Sequence, residues 1–136
     1  MIKVKAFIER GNDGTYGVYV DLDENRLNYG VIGDGKTVNE AIADFEGCYE
    51  DMKKCFEKDK QDFQEVDFEY HYDTASFLNY ITGKITLSGL QRITGVNQGQ
   101  LSNYLNGYRR PSMRTIHKME RSLHSFGQEI SQMKFV

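Results

Sequence analysis

The stretch GVNQGQLSNYLNGYRRPS, from Gly95 to Ser112, decides how the second half of this chain folds. It is rich in amides and tyrosines, holds two adjacent arginines, and has few aliphatic side chains. Gly95 is suited to the left-handed conformation that ends a helix, and Val96 returns the chain to a core. Asn97 is an N-cap, its side-chain oxygen facing the free N–H groups that open the next helix. That helix is expected over Gln98 to Asn106. Leu101 and Leu105 then face inward with Tyr104 beside them, while Gln98, Gly99, Ser102, Asn103 and Asn106 lie on the outer side. Gly107 stops it. Tyr108-Arg109-Arg110-Pro111 leads on to Ser112, a cap for a last helix.

Upstream, Thr74 or Ser76 can cap a short helix through Phe77, Leu78 and Ile81, ended by Gly83, and a second helix is expected from Leu87 to Thr94. Two short helices joined by a glycine-containing turn, the second with small and neutral polar groups outward, form a helix-turn-helix pattern. The chemistry fits DNA. Gln and Asn both donate to and accept from an adenine edge, Gly99 permits close approach, and neutral groups do not repel phosphates. Arg109 and Arg110 flank the reading helix, where guanidinium groups bind phosphates bidentately. Taken singly, each amide fits a merely solvated helix. Jointly, Gly95-Val96-Asn97-Gln98, Leu101-Ser102-x-Tyr104-Leu105-Asn106-Gly107 and Arg110-Pro111-Ser112 resemble the lambda-repressor-like (XRE-type) helix-turn-helix family over about residues 74–130. The resemblance implies base-reading positions at Gln98, Gly99 and Asn103, and phosphate-side positions at Asn106, Arg109 and Arg110. Gln91 stands where that family usually has a small residue at the meeting of the two helices.

The last helix carries Met113, Ile116, Met119, Leu123, Phe126, Ile130 and Met133 at steps of three and four, a core stripe whose end from Phe126 onward fits either a dimer seam or an exposed tail. Gly127 weakens that end by about 1 kcal/mol relative to alanine.

Charge divides the chain. Of its 136 residues, those up to 70 carry 9 Lys+Arg against 17 Asp+Glu, and the rest carry 8 against 3, inside a total of −3. The basic half suits a polyanion and the acidic half a cationic surface. Hydrophobic residues at 39% and charged residues at 27% fit a soluble globular protein. No apolar run approaches the roughly 20 residues of a membrane helix, and the N-terminus lacks a secretory signal, so a cytoplasmic location without membrane contact is expected. Cys48 and Cys55 read as reduced thiols near a core, since no further ligands stand at a metal-binding spacing.

In the acidic half, Ile2, Val4, Ala6 and Ile8 alternate with Lys3, Lys5, Phe7 and Glu9, the mark of a strand with one buried face. Gly11-Asn12-Asp13-Gly14 makes a hairpin turn into a strand from Thr15 to Asp21. A third strand is expected around Asn28 to Ile32. Thr37-Val38-Asn39-Glu40 is a capping box, and Val38, Ala41, Ile42, Phe45, Tyr49, Met52 and Phe56 form the apolar stripe of a long helix that must lie on the sheet. Lys58 to Gln64 reads as a polar connection, and Val66 to Tyr72 as a fourth strand. This order, with Asp13-Gly14-x-Tyr16 and a Gly33-Asp34 turn leading through Thr37 to Glu40-Ala41, resembles the N-terminal domain of HicB-family antitoxins over about residues 1–72. The resemblance implies a reduced ribonuclease-H-like fold. In that family the loop near the partner face is often Pro-Asp-Leu-Pro-Gly-Cys-like, whereas Asp21-Leu22-Asp23-Glu24-Asn25-Arg26 stands there in this chain.

No catalytic residue is assigned. Two-metal nucleases need carboxylates converging from separate strands, and Asp21, Asp23 and Glu24 share one segment, which reads as a solvated turn. The lone His71 reads as structural. The expected fold is therefore α+β: a three- to four-stranded sheet with one long helix (β-β-β-α-β, residues 1–72), followed by an all-α helix-turn-helix unit (73–136). The expected function is that of an antitoxin and repressor in a HicAB-type system, with no enzymatic activity, no metal and no cofactor. It would bind double-stranded operator DNA as a homodimer or higher homo-oligomer, since one reading helix contacts too few bases. By resemblance, its acidic half would capture a small basic HicA-like ribonuclease toxin. The alternative is a stand-alone transcriptional regulator whose first half serves dimerisation or ligand sensing.

Overall fold

The computed structural model describes residues 1–21 and 27–136. The protein is α+β. Four strands, β1 (Ile2–Arg10), β2 (Tyr16–Val20), β3 (Ile32–Gly35) and β4 (Val66–Tyr72), form one sheet in the order β3-β2-β1-β4. The helices are α1 (Val38–Lys58), α2 (Thr74–Ile81), α3 (Leu87–Thr94), α4 (Gln98–Leu105) and α5 (Met113–Ser131).

The β1–β2 hairpin forms as the turn chemistry requires. Gly14 adopts φ 85°, and Asp13 Oδ1 accepts from the Thr15 N–H at 3.0 Å and from its hydroxyl at 2.7 Å. The antiparallel register places Ala6 opposite Val20 and Ile8 opposite Val18. β4 joins the other side of β1 in parallel, with Val4 opposite Phe68, which requires the crossover that α1 supplies. Val4, Ala6, Ile8, Val18 and Val20 are buried on the face that α1 covers, with Val38, Ala41 and Phe45 of the helix among them. Ile2 departs from the expected inward row and is half-exposed at the strand's beginning.

The third strand lies at Ile32–Gly35 rather than around Asn28 to Ile32, and Gly33-Asp34 belongs to it instead of forming a turn. The cause is steric. A Cβ on Gly33 would fall 2.3 Å from the Phe45 backbone nitrogen, and one on Gly35 2.7 Å from that of Ala41. The glycines let α1 lie directly on the edge strand, a role that a turn-based reading assigns to φ freedom. Leu27, Tyr29 and Val31 precede the strand and are buried. Tyr29 stacks on Phe63 with ring centroids 4.6 Å apart and donates its hydroxyl to the Gln64 carbonyl at 2.6 Å, so the 58–64 connection is not merely polar. Thr37 caps α1 as expected, its Oγ1 accepting from Glu40 N–H at 3.1 Å. The Glu40 carboxylate accepts the Lys36 N–H at 2.9 Å, one residue before the capping-box partner.

A second core gathers Leu78 of α2, Leu90 of α3, Val96, Leu101 and Tyr104 of α4, and Met119 of α5. α2 ties the two cores together. Its N-cap is Asp73, not Thr74 or Ser76: Oδ1 accepts from Ser76 N–H at 2.8 Å while Oδ2 accepts from Arg10 N–H at 3.0 Å at the end of β1. The carboxylate serves strand and helix with a separate oxygen for each. Asn79 then accepts the Val38 N–H at 3.0 Å, and Tyr80 packs against the first core.

The stripe on α5 is core over a shorter length than its periodicity suggests. Met119 is buried and Leu123 packs beside it, while Met113, Ile130 and Met133 are exposed and Met133 lies beyond the helix. Cys48 lines the first core but Cys55 is exposed, and both are free thiols. No helix among the described residues is long and apolar enough to cross a membrane.

Candidate nucleic-acid interface

α3 and α4 are set by polar groups at their ends. Thr86 Oγ1 caps α3 through Gly89 N–H at 3.0 Å, and Gly95 closes it at φ 75°. The Thr94 hydroxyl, buried, donates to Leu90 O at 2.7 Å and accepts from Val96 N–H at 3.2 Å, which directs the turn inward. A Cβ on Gly95 would lie 3.3 Å from Lys118 Nζ, so an ammonium from α5 covers the C-terminal end of α3, where the helix dipole favours a cation.

The first turn of α4 carries two side-chain caps. Asn97 Oδ1 accepts from Gly99 N–H at 2.7 Å, and Gln91 Oε1 accepts from Gln98 N–H at 2.7 Å. The second cap comes from Gln91, the position at which the resemblance implies a small side chain. An amide across the turn gives a hydrogen bond to one of the helix's orphan donors. The residue pattern does not reveal this, because Gln91 and Gln98 lie on different helices and meet only through the geometry of the turn.

The far end of α4 closes with both bonds of a Schellman motif: Tyr108 N–H to Asn103 O at 2.9 Å and Gly107 N–H to Tyr104 O at 3.2 Å, with Gly107 at φ 75°. Leu101 and Tyr104 are buried and Leu105 packs at the margin of the same core. The helix therefore has a fixed orientation, with its outer face defined by what remains.

On that outer face Gln98, Gly99 and Gln100 are exposed at the N-terminal turn, and Ser102 and Asn103 are half-buried. Asn103 thus reaches solvent less fully than Gln98. Asn106 is exposed, but its Nδ2 donates back to Ser102 O at 3.0 Å, which holds its amide along the helix end. Arg109 and Arg110 are exposed in the following loop. The two ion pairs among the described residues, Lys53 with Glu65 and His71 with Glu69, involve neither arginine.

Among the described residues, no group of His, Cys, Asp and Glu is placed to hold a metal ion. His71 pairs with Glu69 at 2.6 Å on the outer sheet face, and this bond holds the Glu69 carboxyl below its ordinary range. Asp21 is described, whereas Asp23 and Glu24 and most of the acidic loop through Arg26 lie outside the described residues.

A helix-turn-helix family model matches residues 82–125, which takes in α3, α4 and much of α5. The match supports DNA binding and transcription regulation for this half. No curated protein and no solved structure matches the chain.

Proposed function

We propose that the protein is a repressor that reads operator DNA with α4, Gln98, Gly99 and Asn103 facing base edges and Asn106, Arg109 and Arg110 facing the backbone. The observation that carries this reading is one of placement. Leu101 and Tyr104 anchor the helix from beneath, leaving Gln98 and Gly99 in solvent on a capped N-terminal turn next to a loop with two exposed arginines. Such a turn enters a major groove while the loop tracks the phosphates.

Residues 1–72 and 73–136 act as two units in this proposal, and two copies of the chain occupy paired half-sites in the cytoplasm. Exposed Ile130 near the end of α5 and Phe135 beyond it supply apolar surface for a seam between copies. The acidic half, a β-β-β-α-β unit, captures a small basic ribonuclease toxin as HicB-type antitoxins do, and has no catalytic role of its own. The strand order and the excess of carboxylates support that assignment.

Selection of bound duplexes from a random library tests the DNA reading. An enriched inverted repeat with half-sites about one helical turn apart is expected, and a library that yields no enriched sequence removes the reading. Co-expression with the neighbouring reading frame tests the toxin. A small cationic protein that co-purifies supports the antitoxin role, and its absence leaves a regulator whose first half serves dimerisation or ligand sensing.

A further inference from the structure

Arg10 belongs to the acidic half, yet its side chain lies at the foot of the reading helix. A Cβ built on Gly107 would fall 2.5 Å from Arg10 Nη1 and 3.2 Å from its Cζ, so the guanidinium rests on the Gly107 backbone, two residues before Arg109. On its other side is the hairpin turn, where a Cβ on Gly14 would lie 3.2 Å from Nη2. Arg10, Arg109 and Arg110 line one cleft of about 360 Å³ between sheet and helices, together with Asn12, Tyr104 and Pro111.

The acids near this cleft are already engaged. Glu9 accepts from the Tyr19 hydroxyl at 2.8 Å, and both Asp73 oxygens accept backbone N–H groups. Asp13 takes the Thr15 N–H and hydroxyl, which hold its carboxyl below the ordinary value, with Arg10 adding to the same effect. Among the described residues no carboxylate forms an ion pair with Arg10. A planar guanidinium carries five donors in a fork that matches a phosphate.

We propose that Arg10 is a DNA-backbone contact supplied by the acidic half, continuing the cationic edge of Arg109 and Arg110 across the junction. The inference rests on the DNA-binding reading of α4. It makes the position of the β1–β2 hairpin a determinant of affinity, so that whatever displaces the hairpin from Gly107 removes a phosphate contact without touching the reading helix.

The test uses the full chain and a duplex selected from a random library by the wild-type protein, titrated over a ladder of salt concentrations. Arg10→Gln removes the charge while keeping an unbranched polar side chain. It is expected to weaken binding and to reduce the slope of log K against log salt by about 0.9, the value for one phosphate. Arg10→Lys restores the slope. An unchanged slope in Arg10→Gln overturns the proposal and leaves Arg10 as a structural strut, whatever happens to the melting temperature. A wild-type chain that binds no duplex fails at the prior step, the DNA-binding reading, and the assignment of Arg10 falls with it.

Discussion

In the sheet half, Phe45 sits among strand residues and meets Phe68 with ring centroids 4.8 Å apart, and two glycines bring helix and edge strand into backbone contact. In the helical half, a smaller group of buried residues seats α4 through Leu101 and Tyr104, and hydrogen bonds at its two ends do the rest. The first arrangement gains stability from area and close fit. The second fixes a helix while leaving its N-terminal turn in water. A reading surface needs that second arrangement, because side chains spent on packing are withdrawn from recognition.

The contrast can be broken from either side. Phe45→Ala is expected to destabilise the chain by about 4 kcal/mol and Leu101→Ala by about 3 kcal/mol, as large-to-small changes at fully buried sites do. Urea unfolding checks both. Because α2 contributes Leu78 to one core and Tyr80 to the other, each variant shifts one common transition; two separate transitions would show that the halves unfold independently. Asn79→Ala probes the link itself. Loss of the bond to Val38 N–H is expected to cost about 1 kcal/mol, the usual worth of a helix cap.

Tyr29 sharpens the comparison by pH. Burial pushes its hydroxyl up to about 12 from an ordinary value of 10.0. A folded-state value above the unfolded one means that the neutral hydroxyl stabilises the fold fully below pH 10 and that this contribution is lost as pH rises toward 12. Alkaline denaturation followed by tyrosinate absorbance should show the loss in that window, and Tyr29→Phe should flatten it. The smallest effect is expected at Ser76, whose buried Oγ has no hydrogen-bond partner among the described residues. An unsatisfied hydroxyl is costly to bury, so Ser76→Ala should leave the melting temperature unchanged or raise it.

Much of this architecture is legible in the sequence because periodicity and capping are local. Val38 to Phe56 declares a helix on a sheet, and Gly95, Asn97 and Gly107 mark the ends of α3 and α4 where the structure has them. Tertiary causes are harder to see. Gly33 reads as a turn residue because nothing nearby in sequence announces that the Phe45 backbone will lie against it. At Asp73 the capping bond to Ser76 N–H is local, and only the second bond, from Arg10 63 residues away, is hidden from the sequence. For the same reason the bond from Gln91 to α4 and the approach of Arg10 to Gly107 emerge only in three dimensions. On α5 the departure is at its start: Met113 belongs to the periodic stripe but is exposed, while Met119 and Leu123 join the core and Ile130, in the part beyond Phe126, is exposed.

The central claim is that the exposed turn beginning at Gln98 touches bases. Its most direct test is the affinity of wild type and Gln98→Ala for a selected duplex and for a shuffled duplex of equal length, at one salt concentration. A loss of roughly 1–3 kcal/mol on the selected duplex alone is expected; equal losses on both duplexes, or none on either, would contradict the account.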